Sequence, residues 1–114
     1  MAWQTLNPYL AGGVQPISGA LTVISTIAAE RNIFGTVFVA NVGEEIDRVR
    51  VALRPAGTVT VSDEQYVLYD TEVQPNYMLQ LSNIALNGLD SLIGYSEKGL
   101  AVFNLTGDEI KNYA

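Results

Sequence analysis

The sequence predicts an all-β fold, an antiparallel β-sandwich that is jelly-roll-like, with an extended N-terminal arm. Three observations carry this. Seven or eight β-forming runs recur at roughly 8–14-residue spacing, with Gly, Pro, Asn or Asp between them. No stretch combines a 3.6-residue apolar period with the length of an ordinary helix. Between Ile33 and Gly57, two runs follow one another with clear two-residue alternation, the period of a strand.

Residues 1–19 hold Pro8, Gly12, Gly13, Pro16 and Gly19. That density rules out a helix and discourages a continuous strand. The same stretch carries Trp3, Leu6, Tyr9 and Leu10, large apolar side chains that a disordered tail seldom bears. It reads as an extended arm, 1–19, lying across its own sheet or reaching onto a neighbour. The sandwich proper is then 20–114.

Ala20–Ile27 is a strand, and Ala28–Asn32 is too short for a helix and reads as a turn. Ile33–Gly57 reads as a hairpin whose turn spans Asn41–Glu45. On its first strand Ile33, Gly35, Val37 and Val39 share one face, and Phe34, Thr36, Phe38, Ala40 and Val42 the other. Both faces are apolar, whereas a water-facing antiparallel strand should be polar on one. This strand is therefore covered on both sides by loops or a terminal segment, or packs one face on another subunit. On the second strand Val49, Val51 and Leu53 oppose Arg48, Arg50 and Arg54. The arginine row is either a solvated outer face or a contact for acidic side chains of a neighbouring subunit.

Thr58–Val61 reads as a short edge strand. Glu64–Asp70 is a strand with Tyr66 and Leu68 on one face, Val67 and Tyr69 on the other. Tyr77–Ser82 turns Tyr77, Leu79 and Leu81 inward. Ser91–Ser96 contains Gly94, a sign of a bulge or close backbone contact. Leu100–Leu105 is the last long strand, and Gly107–Ala114 is a polar tail with room for one more short piece.

At 114 residues the chain is one domain, 48% hydrophobic and only 16% charged, against the roughly 25% usual for soluble domains. Low charge favours a chain that hides surface in an assembly. The net charge of −6 lacks the basic footprint of nucleic-acid binding. There is no cysteine and no histidine, which excludes disulfides, thiolate nucleophiles, His-based triads and the commonest metal ligands. The N-terminus lacks the basic and apolar regions of a signal peptide, and no apolar run approaches a membrane span. Synthesis in the cytoplasm is the expectation.

The search for chemistry yields little. Adjacent acids on a strand point to opposite faces, so only Asp70 and Glu72 offer a local carboxylate pair, and solvated turn acids are the plainer reading. Asn87-Gly88-Leu89-Asp90 and Gly107-Asp108-Glu109 are fragments without the spacing of a calcium loop. No catalytic residue, cofactor or metal is expected. The six tyrosines suit sheet packing and subunit contact, or alternatively the aromatic platform of a carbohydrate-binding module.

Taken together, Val39-Ala40-Asn41, Leu53-Arg54-Pro55-Ala56-Gly57, the segment Asp63-Glu64-Gln65-Tyr66-Val67-Leu68-Tyr69-Asp70, a Leu-Gln-Leu strand after a Pro-Asn turn, Leu86-Asn87-Gly88-Leu89-Asp90 and Val102-Phe103-Asn104-Leu105 resemble small virion structural proteins of tailed bacteriophages. The resemblance spans roughly Ala20 to Ile110. It implies a non-enzymatic decoration or cement protein of the capsid, or a tail or neck component. A homo-oligomer is implied, a trimer among the options, in contact with the major capsid protein or other virion subunits. No nucleic acid and no membrane are expected as partners. The expected contact residues are Trp3, Leu6, Tyr9 and Leu10 of the arm, Phe34 and Phe38 of the two-faced strand, and Arg48, Arg50 and Arg54 of the arginine row.

Overall fold

A computed structural model describes residues 3–113, with side chains for residues 8–110. Eight strands run in chain order: β1 Trp3–Val14, β2 Thr22–Thr26, β3 Arg31–Asn41, β4 Asp47–Arg54, β5 Tyr66–Val73, β6 Met78–Leu86, β7 Ser91–Ser96 and β8 Ala101–Tyr113. They form two four-stranded sheets, sheet A in the order β1-β8-β3-β6 and sheet B in the order β2-β7-β4-β5. Every pairing is antiparallel, β1 with β8, β2 with β7, β3 with β6, and β4 with β5. The pairs are nested around the β4–β5 tip. Folding that ribbon over itself brings β3 to β8 and β4 to β7, which completes the two sheets. This is jelly-roll wiring.

Nesting overturns four local readings. Ile33–Gly57 is not a hairpin: β3 lies in sheet A and β4 in sheet B. Alternation and a turn glycine mark strands and a turn but not which sheet each strand joins. The extended arm is not irregular: its residues 3–14 lie on their own sheet, the first of its two alternatives, as the continuous strand β1, paired with β8 over its whole length. β1 is an edge strand, where proline is tolerated because one row of backbone groups pairs with no strand. Gly12 and Gly13, both at positive φ, make the bulge that ends it. Of the expected tail Gly107–Ala114, residues 107–113 are no separate piece, since β8 runs unbroken to Tyr113; Ala114 lies outside the described residues. Thr58–Val61 forms no strand but belongs to the loop beside the outer face of sheet B, where Ala52 and Ile93 are buried despite their outward register.

The core is the inner face of both sheets: Val37 and Val39 from β3, Val49 and Val51 from β4, Leu92 from β7, Phe103 and Leu105 from β8, with Ile24, Ile27, Ile33, Val73, Ile84 and Leu86 around them. Gly94 is a close contact, as its sequence position foretold. A Cβ there would lie 2.9 Å from Ile24 Cδ1 and 3.1 Å from Phe103 Cδ2. Gly35 and Gly107 are register partners on β3 and β8, and a Cβ on either would run into a carbonyl oxygen of the other strand.

Six of the seven connections cross between sheets, so both ends of the sandwich carry crowded backbone that must be hydrogen-bonded. At one end the β3–β4, β5–β6 and β7–β8 crossovers meet on Asn41 and Asp47. Asn41 Nδ2 donates to the carbonyls of Glu45 (2.7 Å) and Val73 (2.9 Å), and its Oδ1 accepts from Gly43 N. Asp47 is fully buried. Its carboxylate accepts the Ser96 hydroxyl and the amides of Lys98 (2.8 Å) and Leu100 (3.1 Å). The β1–β2 crossover joins this end through Gly19 N to Ser96 O and Ser18 Oγ to Glu97 O. At the other end Asp90 accepts from Asn87 N and Ala56 N, both at 2.9 Å. The Asn87–Asp90 fragment is thus a loop clasp whose acceptors are filled by amides.

Asp47→Ala strands a buried hydroxyl and the three amides of Arg48, Lys98 and Leu100, and lowers unfolding free energy by about 3 kcal/mol. Glu45→Ala removes only a surface pair with Lys98 at 3.7 Å and costs within about 0.5 kcal/mol. Urea denaturation of the two variants separates these outcomes.

Candidate functional site: two unlike outer faces

The sandwich presents two outer faces of different chemistry. On sheet A the outward positions of β3 are Asn32, Phe34, Thr36, Phe38 and Ala40, flanked in register by Met78, Gln80 and Ala85 of β6 and by Val102, Asn104, Thr106, Asp108 and Ile110 of β8. Leu10 continues this face onto β1 opposite Thr106. Phe34 is 57% exposed, Met78 55% and Leu10 76%. Among the described residues, Asp108 is the one charged group at these outward positions. No segment of the described chain covers this face. Of the two ways to account for an apolar second face on β3, internal cover is therefore not what the fold supplies.

Sheet B is charged and aromatic outside. Arg48 pairs with Glu72 at 3.4 Å, both more than half exposed. Arg50 donates from Nε to Asp70 Oδ1 at 2.5 Å. Its guanidinium also lies 4.2 Å from the centre of the Tyr69 ring and 4.4 Å from that of Tyr95. Arg54 reaches Ser91 Oγ only at 3.5 Å. The acids that engage Arg48 and Arg50 thus come from β5 of the same chain. The same pairing accounts for Asp70 and Glu72, the local carboxylate pair: each is the counter-ion of an arginine.

Two bulges in β5 build the aromatic part. Val51 pairs with Leu68 and Ala52 with Tyr66, leaving Val67 extra, and the register shifts again between Val49–Thr71 and Val51–Leu68. Asp70 sits in the second bulge with φ 46°. A bulge re-aims the side chains beside it. Strict alternation assigns Tyr66 and Tyr69 to opposite faces. The bulges instead bring both rings outside, edge-to-face, with centroids 4.9 Å apart. With Asp63 from the 3-10 turn Asp63–Gln65 they line an open groove of about 430 Å³.

The remaining contact candidates fall differently. Tyr9 faces inward, packs against the core and shares a 2.8 Å hydrogen bond with Ser25 Oγ across the two sheets. The side chains of Trp3 and Leu6 lie outside the described residues. Phe38 is half-buried among its sheet neighbours, beside the open Phe34. Met78, absent from the contact candidates, joins them on the bare face. Its alternation with Leu79 and Leu81 in sequence already carried that signal. Among the described residues no group of three acids could hold a metal ion, and no helix is long and apolar enough to cross a membrane.

No family model, no curated protein and no solved structure matches this chain.

The hydrogen bond from Arg50 holds the Asp70 carboxyl below the ordinary carboxylate range, and raises the already high Arg50. A carboxylate depressed in the folded state stabilises above its unfolded pKa, and that contribution is lost as pH falls through the folded value. Asp70 therefore stays ionised until the medium is more acidic than an ordinary aspartate requires. Carboxyl NMR titration should show this, and Arg50→Gln should return Asp70 toward 3.8.

Proposed function

We propose that this chain is a non-enzymatic structural protein of a tailed-phage virion, a capsid decoration or cement protein that works as a homo-oligomer by burying surface between subunits. One observation carries the assembly reading, namely the open, almost uncharged outer face of sheet A. Four strands spaced by about 4.8 Å, each about 36 Å long at β3's 11 residues, offer about 700 Å². That is near the roughly 800 Å² per partner of a standard interface. The exposed Leu10, Phe34 and Met78 on this face support reading it as an interaction site. Its lack of charge fits contact with further copies of the chain, where like charges would otherwise meet.

The virion reading adds the sequence resemblance, whose segments fall on β3, β4, β5, β6 and β8. Jelly-roll domains build viral capsids among other things, an analogy of fold and no more. The major capsid protein is the partner such a role requires, and the virion is its place. A tail or neck position uses the same burial.

Light scattering on the purified chain tests the assembly reading. The expected result is an oligomer that Phe34→Ser together with Met78→Ser converts to folded monomer, because both side chains are more than half exposed in the single chain. A monomer at all concentrations, with no binding to phage capsids, would overturn it.

A further inference from the structure

We infer that the groove beside Tyr66 and Tyr69 on sheet B is a binding site for a neutral saccharide. It is independent of the assembly face, since it lies on the other sheet.

The argument begins with how the site is built. A single strand carries two bulges within six residues, one of them placing a non-glycine residue, Asp70, at positive φ. Such backbone is costly and concentrates where side chains must be aimed. What it aims here is a pair of tyrosines onto one outer face. Packing does not demand this, since Tyr69 remains 54% exposed.

The rings are also fixed. Arg50 is stacked against Tyr69 and Tyr95 and held by Asp70. A ring ordered before binding spares the ligand the cost of ordering it. At the groove edge, Asp63 is exposed and its carboxylate makes no hydrogen bond among the described residues. The site thus offers apolar ring surface, a free acceptor and phenolic hydroxyls that donate or accept.

That combination selects the ligand class. Sugar rings have an apolar C–H face that lies on an aromatic ring, and a rim of hydroxyls that bond to carboxylates and guanidinium groups. An anionic ligand would meet Asp63 and Glu64 in a chain of net charge −6. A quaternary ammonium needs aromatic faces free on several sides; with Arg50 over one face of Tyr69, the groove keeps ring surface for one sugar face but not for a cage around a cation. The groove is open rather than closed, which suits part of a longer glycan. A volume of about 430 Å³ is within the ordinary range of ligand sites.

The test is amide NMR of the full chain titrated with tetrasaccharides built from glucose, galactose, mannose and N-acetylglucosamine, and separately with choline chloride. At least one saccharide should shift the amides of residues 63–70 and 95 with a dissociation constant of about 1 mM or tighter. Tyr69→Ala and Asp63→Ala, both at exposed positions, should each weaken it about tenfold or more, while Phe34→Ser leaves it unchanged. No shift at about 10 mM with any of the sugars, shifts with choline alone, or sugar binding indifferent to both groove variants would each overturn the inference.

Discussion

Two buried carboxyl and amide side chains at one end of the sandwich, Asp47 and Asn41, set the condition on which the rest of the fold depends. A jelly roll sends the chain from sheet to sheet at nearly every connection. Each crossing brings backbone out of the ladders in a place too crowded for water to serve all of it. Asn41 closes the β3–β4 crossover and reaches the β5–β6 crossover through Val73 O. Asp47 closes the β7–β8 crossover through Ser96, Lys98 and Leu100. Three crossings lean on these two side chains. Asp90 plays the corresponding part at the opposite end, tying its own loop to the β4–β5 loop. The apolar core supplies most of the driving force, but it is non-directional. These polar groups fix how the crossover loops sit against one another.

With the ends held, the two outer faces are free to differ, and they differ strongly. Sheet B spends its charges on itself: Arg48 with Glu72, Arg50 with Asp70 and two tyrosines. Sheet A leaves phenylalanine, methionine and leucine in the open with almost no charge nearby. A monomer would gain nothing from this division. An assembly unit gains one face for its neighbours and another for whatever lies outside. The low charge of the whole chain fits the proposed assembly, in which only one face would remain in water.

Much of this was legible from residue order, and the failures have particular causes. Strand positions were readable because Val49, Val51 and Leu53 against Arg48, Arg50 and Arg54 can belong to little else. The apolar second face of β3 was readable too, with Phe34 and Phe38 on it. What was not legible was pairing. β3 and β4 look like a hairpin because they are consecutive, yet β3 pairs with β6 and β8, far along the chain. Pro8 and the glycines disguised β1, because their usual meaning fails on an edge strand. The tyrosine groove was hidden by the two bulges of β5, since each extra residue reverses the faces beyond it. Tyr9 looked like a contact residue, but its hydroxyl has a partner on the facing sheet. Nothing short of the three-dimensional pairing reveals that.

The central claim is that the outer face of sheet A is buried between subunits. Hydroxyl-radical footprinting of the chain, dilute and then concentrated, measures this most directly. Phe34 and Met78 should react readily when dilute and become protected on concentration, while Tyr69 on sheet B stays equally reactive throughout. If Phe34 and Met78 remain as reactive in the concentrated sample as in the dilute one, or if protection appears on sheet B instead, the face is not an interface and the account is wrong.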